Sequence, residues 1–226
     1  MIELNNITKS YQNAPQTEAR WVLDGISLKI QSADSIAIMG PSGCGKSTLL
    51  NILGTLDKAS SGKVLMDGEN ISALKDEKLA EIRNRKIGFV FQSHHLLPQL
   101  NLLENVLLPT LVLKDKSLKD SAKEIAMDLL KMVGLEDKIH QFPGQLSGGE
   151  CQRTAVVRAL INQPEIILAD EPTGSLDADS AEQIGDLLLK INQEQKIAIV
   201  LVTHSVDLAN KMGVKYKLVK GKLVNG

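Results

Sequence analysis

Hydrophobic positions along this chain change period several times, and each change marks an element. Ile2 to Tyr11 and Trp21 to Ile30 alternate like half-buried strands, Leu23 and Ser27 falling opposite Val22, Ile26, Leu28 and Ile30. The polar stretch from Gln12 to Arg20 separates them, which predicts a β-hairpin with a long connection. Short apolar strands follow at Ser35 to Met39, Lys63 to Met66 and Ile87 to Phe91, with helices expected over Lys46 to Gly54 and Asp76 to Arg85.

From about Asn101 the strand signal disappears until Glu165. Asn101 to Leu113 is apolar on most sides. Asp120 to Val133 sets Ala122, Ile125, Ala126, Leu129, Leu130 and Val133 at helical spacing, and Gly134 suits the helix end. A third helix starts within Leu146 to Glu150, capped by Ser147, and runs to about Asn162. Strands then resume at Glu165 to Ala169 and Ile197 to Thr203. Between them a helix over Asp179 to Glu194 carries Ile184, Leu187, Leu188 and Ile191 on one face, and two short strands around Gly221 close the chain. The pattern predicts one α/β domain over residues 1–226. Its core, 1–94 and 164–226, begins with an antiparallel β region, and a helical subdomain over about 95–163 is inserted into it.

The candidate chemistry is concentrated at element ends. Gly40 to Thr48 satisfies G-x-x-x-x-G-K-[ST] between a strand and a helix, the context of a phosphate-binding P-loop. Glycines let backbone N–H groups of Ser42, Gly43, Cys44, Gly45 and their neighbours turn toward phosphate oxygens, and the helix N-terminus adds partial positive charge. Lys46 supplies a full charge to the β- and γ-phosphates, and Ser47 is the expected Mg²⁺ ligand. The apolar strand Ile166 to Ala169 ends in Asp170 and Glu171. Alone this could mark only where a strand reaches solvent; beside a P-loop, Asp170 completes the metal site through water and Glu171 is a general base for the attacking water. Gln92 and His204 also follow strands. A polar strand end is the commoner meaning of each, but the amide could ligate Mg²⁺ and the imidazole could reach the γ-phosphate. Ser147, Gly148 and Gly149 at a helix start make a second anion site. Because the P-loop already holds this chain's phosphates, that site is expected to serve a second copy in a head-to-tail dimer.

Composition narrows the field. The 26 basic and 27 acidic residues leave a net charge of −1, which offers no chain-wide field for nucleic acid. No apolar run approaches the ~20 residues that span a bilayer, and no signal peptide is evident, so a cytoplasmic location is expected. Three Phe, two Tyr and one Trp imply an aliphatic core. The two cysteines, Cys44 and Cys151, form no metal or disulfide pattern.

The set as a whole resembles the nucleotide-binding subunit of an ABC transporter, in family order and over nearly the full chain. Walker A matches Gly40 to Thr48, the Q-loop Gln92, the signature Leu146 to Glu150, Walker B Ile166 to Glu171, the D-loop Ser175 to Asp177 and the H-loop His204. The resemblance implies a P-loop NTPase core, ATP with Mg²⁺, an ATP-sandwich homodimer, separate transmembrane permease subunits, and a place at the inner face of the membrane. It also implies that Tyr11 stacks on adenine. Cys151, Ser175 and Ser205 depart from the commonest family residues without removing a catalytic group. In the implied dimer, Cys44 and the other copy's Cys151 would flank one nucleotide, within reach of a thiol crosslinker. The segments Gly54 to Gly62, Phe89 to Pro109 and Leu168 to Asp177 resemble a narrower branch of lipoprotein-releasing, macrolide-exporting and cell-division ATPases. Lipoprotein release or envelope export is the expectation; a mechanical or signalling ATPase that moves no substrate is the alternative.

Overall fold

The computed structural model describes residues 1–11, 20–113 and 116–226. The two N-terminal segments are strands β1 (Ile2–Tyr11) and β2 (Arg20–Ile30), paired antiparallel. Their connection, 12–19, lies outside the described residues. Register shifts on β1, with Gly25 at φ 69°, break the alternation. Leu23 and Ile26 therefore both reach the core, at 0% and 1% exposure, where the sequence pattern set them on opposite faces.

The chain continues through β3 (Ser35–Met39), α1 (Lys46–Leu53), β4 (Ser61–Met66), the two-residue β5 (Glu69–Asn70), α2 (Asp76–Lys86) and β6 (Ile87–Phe91). Helices α3 (Leu102–Leu107), α4 (Lys116–Met132) and α5 (Gly148–Leu160) come next. Then follow β7 (Ile166–Asp170), α6 (Ala178–Gln195), β8 (Ala198–Thr203), α7 (Val206–Asn210), β9 (Val214–Val219) and β10 (Lys222–Asn225). The apolar stretch from Asn101 forms only a six-residue helix before a 3₁₀ turn over Leu108–Thr110, where Pro109 intervenes. Strand β5 and helix α7 are too short to show a period.

Two sheets result. Strands β2-β1-β4-β5 form an antiparallel sheet, and β10-β9-β3-β8-β7-β6 form a second, parallel except at its β10 edge. Its inner strands β3, β7 and β8 are buried on both faces, which explains their continuous hydrophobic runs. On β7, Ile166 and Leu168 join the core shared with the antiparallel sheet and α1, while Ile167 and Ala169 join the core shared with α3, α4, α5 and α6. Strand β8 divides the same way, Val200 and Val202 against Ile199 and Leu201. Fully burying each such side chain stabilises the fold by about 1.5–3 kcal/mol.

Parallel register then determines what gathers where. Phe91 pairs with Asp170, Asp170 with Val202, and Met39 with Thr203. The carboxyl ends of β3, β6, β7 and β8 are thus level, and the loops after them open onto one edge, where ligands bind in open α/β sheets.

Candidate functional site

Four loops from that edge enclose a cleft of about 680 Å³. It is lined by Tyr11, Ser42, Gly43, Gly45, Lys46, Ser47, Thr48, Gln92, Asp170, Glu171 and His204, so residues distant in sequence converge here. Gly40 and Cys44 do not line it. A Cβ on Gly40 would lie 2.7 Å from the Leu218 carbonyl oxygen, so the loop's first glycine is required by the approach of β9. The Cys44 side chain packs against the core beneath the loop. Gly43 and Gly45 take left-handed φ of 74° and 104°, and at Gly45 a Cβ would also meet Val22 at 2.9 Å.

Lys46 opens α1 and is 9% exposed; its Nζ donates to the Gly40 and Pro41 carbonyls at 2.9 and 3.2 Å and lies 3.8 Å from Glu171 Oε1. Burial pushes the Asp170 carboxyl above its ordinary value, opposed by a hydrogen bond from Ser47 and reinforced by the neighbouring Glu171 charge. The Ser47 hydroxyl and Asp170 carboxylate form a pair of hard oxygen donors at the cleft floor, a set that suits Mg²⁺. Glu171 adopts φ 47°, unusual for a residue with a Cβ, while its N–H still bonds the Val202 carbonyl at 2.9 Å. That twist turns its carboxylate to His204, whose backbone N–H donates to Oε2 at 3.1 Å and whose Nδ1 lies 2.9 Å away. Sequence reasoning aimed His204 at phosphate; its partner here is Glu171.

Tyr11 is 45% exposed at the cleft mouth. Its hydroxyl donates to Asp57 Oδ2 at 2.8 Å, and Lys9 Nζ sits 4.8 Å from its ring centroid while bonding Asp57 Oδ1 at 2.7 Å. Burial, then the Asp57 hydrogen bond, pushes the phenol's pKa up. Asp57 and Lys9 escaped sequence reasoning, as did Val22, Phe91, Ser93 and His95 on the cleft wall. Asp57 stands in the segment Gly54 to Gly62, which the sequence marked only as a branch resemblance.

None of Ser147, Gly148, Gly149 or Glu150 lines this cleft among the described residues. They begin α5. Ser147 accepts from Glu150 N–H at 3.3 Å and donates its own N–H to Glu150 Oε2 at 2.8 Å, a reciprocal cap, and Lys138 ion-pairs with Glu150 Oε1. The hydrogen bond from Lys138, then that from Ser147, holds the Glu150 carboxyl below its ordinary value. The Gly148 and Gly149 amides fall in the first helical turn, where no intrahelical acceptor exists. Asp177 caps α6, accepting from Ser180 N–H at 2.9 Å, and does not line the cleft. Cys151 is 3% exposed with its Sγ toward the Pro143 carbonyl, so the crosslink expected with Cys44 has no accessible thiol at this end.

A mainly parallel sheet that brings a glycine-rich strand-to-helix loop, its lysine and two adjoining acids to one cleft defines a nucleotide-hydrolysing P-loop ATPase. Residues 23–174 match the family model described as ABC transporter, and the chain belongs to that family as an ATP-binding, ATP-hydrolysing subunit. It is 46% identical over 224 residues to the lipoprotein-releasing system ATP-binding protein LolD 1 of Rhodopirellula baltica, covering 99% of this chain and 96% of that protein. It is 47% identical, with the same coverage, to the uncharacterized ABC transporter ATP-binding protein YvrO of Bacillus subtilis. Among solved structures it resembles the dimeric post-hydrolysis state of the ATP-binding cassette MJ0796 bound to ADP and Pi, at TM-score 0.85 and 39% identity, covering 99% and 96% of the two chains. No helix among the described residues is long and apolar enough to cross a membrane.

Proposed function

We propose that this chain closes head-to-tail on a second copy around two ATP molecules and, at the inner face of the membrane, drives permease subunits that release lipoproteins. The observation that carries the ATPase part is the convergence of Lys46, Ser47, Asp170, Glu171 and His204 in one cleft, with the Ser147 to Glu150 helix start outside it. A second anion site beyond reach of its own cleft serves a nucleotide held by another copy. The dimeric form of the MJ0796 cassette supports that geometry, and the name of the LolD relative supports the cargo.

In this reading the P-loop amides and Lys46 bind phosphate, while Ser47 and Gln92, with Asp170 through water, would hold Mg²⁺, which would neutralise phosphate charge. Glu171 accepts the proton of the attacking water, held by His204, and Tyr11 stacks on the base. Ser147, Gly148 and Gly149 contact the other copy's γ-phosphate, and Asp177 adjoins the same interface. The helices over about 95–163 form the unit that passes the nucleotide state to the permease. A groove of about 460 Å³ that sets Leu56, Phe91, Pro109 and Val112 beside Arg83, Asn84, Arg158 and Asn162 supports docking there, since Val112 remains 68% exposed.

Glu171→Gln tests the ATPase core: ATP should trap a dimer with no turnover, and undiminished hydrolysis would remove Glu171 as base. The cargo is tested by purifying the tagged chain with its membrane subunits and reconstituting them in vesicles carrying an acylated lipoprotein. ATP-dependent release is expected; a complex that hydrolyses ATP and releases none refutes the cargo assignment alone.

A further inference from the structure

The segment leaving β6 for the cleft is held by its backbone oxygens, and most of the holders come from α5. Gln152, a residue 1% exposed, donates from Nε2 to the Phe91 carbonyl at 2.9 Å. Arg158 straddles the next turn, Nη2 to the His94 carbonyl and Nη1 to the His95 carbonyl, both at 2.6 Å. The Ser175 hydroxyl takes the intervening Gln92 carbonyl at 2.9 Å. His95 is thereby fixed at φ 50°, and its ring packs on Phe91 at 5.0 Å between centroids, on the wall of the cleft.

We propose that Arg158 is a positioning residue: a two-pronged strut that ties the Gln92 to His95 wall of this chain's own cleft to the helix whose opposite end, Ser147 to Glu150, addresses the second copy. The inference rests on the head-to-tail reading above. Its physical basis is the guanidinium fork. Two parallel N–H groups meet two successive carbonyls, so the loop can neither rotate nor slide without moving α5, and charged donors make these bonds strong. A lysine keeps the charge but presents no planar fork. Nucleotide in the cleft moves the wall beside Gln92, the strut carries that displacement along a rigid helix, and the far cap is set for the partner's phosphate. Arg158 touches neither nucleotide, so its removal should separate binding from closure.

The test uses the full chain with Glu171→Gln, alone and combined with R158K or R158M. Three quantities are read: melting temperature, affinity for a fluorescent ATP analogue at protein concentrations too low for dimerisation, and the ATP concentration giving half dimer by size exclusion. The expected result is an unchanged monomer affinity with about tenfold more ATP needed for dimer in both double variants. If R158M melts early, R158K carries the measurement. Dimerisation equal to that of the single variant overturns the strut and leaves the dimer standing. A parallel loss of monomer affinity overturns it too, placing Arg158 in its own cleft only. Failure of the Glu171→Gln chain itself to dimerise with ATP removes the head-to-tail reading and the strut together.

Discussion

The carboxylate of Glu171 is held by two nitrogens of one residue, the His204 backbone N–H at 3.1 Å and Nδ1 at 2.9 Å. The backbone bond survives any substitution at 204 except proline, which lacks the N–H; the imidazole contact does not. His204→Ala should therefore leave Glu171 near its place but free to rotate. We expect kcat to fall on the order of 10²–10³-fold, within the range of a misplaced general base, with KM for ATP nearly unchanged. Steady-state ATPase kinetics decide it, and an equal loss in KM alone would mean that His204 serves binding instead.

Asp57 supports Tyr11 from behind. One carboxylate accepts from both the Tyr11 hydroxyl and the Lys9 ammonium, and Lys9 in turn lies against the ring. Asparagine removes the charge and keeps only one acceptor oxygen, so at least one of the two contacts is lost. Asp57→Asn should raise KM for ATP by about threefold to tenfold while kcat stays near wild type, because in the proposed role the ring would contact the base equally in ground and transition states. Tyr11→Phe, which keeps the ring and loses only the hydroxyl, should cost less than Tyr11→Ala. Equal KM values in all three variants would remove Tyr11 from the base site.

The Lys138 to Glu150 pair gives a pH-dependent prediction. The folded state depresses the Glu150 carboxyl below its ordinary 4.5, so the pair's stabilisation is fully present above that pH and is lost as pH falls through the depressed value. Lys138 is 36% exposed, so solvent screening keeps the contribution under about 1 kcal/mol. Lys138→Met should lower the melting temperature slightly at pH 7, and the difference from wild type should close as pH drops below 4.5. Thermal scans across pH measure this directly; a gap that widens in acid would reverse the assignment.

Much of this arrangement is legible in the chain because chemistry and periodicity coincide. An apolar strand followed by Gly40 to Ser47, or by Asp170 and Glu171, announces both the element and its exposed end. The convergence itself needs parallel register, which no single segment encodes: Phe91 beside Asp170 is a product of strand order. The contact between Glu171 and His204 depends on a left-handed φ at a residue whose side chain disfavours it, and nothing local signals that. Leu23 misled for a similar reason, since a bulge resets the face and leaves only an unremarkable Gly25 in the sequence. Asp57, Gln152 and Arg158 act through backbone oxygens or another residue's hydroxyl, so their residue types alone look like ordinary side chains facing water.

Gly88 tests the packing that brings α5 to the sheet. A Cβ there would lie 2.6 Å from the Ala159 carbonyl oxygen and 3.1 Å from its Cβ, and both belong to the helix that carries Gln152 and Arg158. Backbone cannot yield as a flexible side chain would, so Gly88→Ala must push α5 away from β6 at a cost of about 1–3 kcal/mol. For a chain of this size that lowers the melting temperature by roughly 2–4 °C per kcal/mol. Gly144→Ala supplies the contrast, with open space around its Cβ and no left-handed φ, and should melt like wild type. Differential scanning calorimetry of both variants distinguishes close approach from general intolerance of glycine replacement. A Gly88→Ala chain as stable as wild type would show that the sheet and α5 can separate freely.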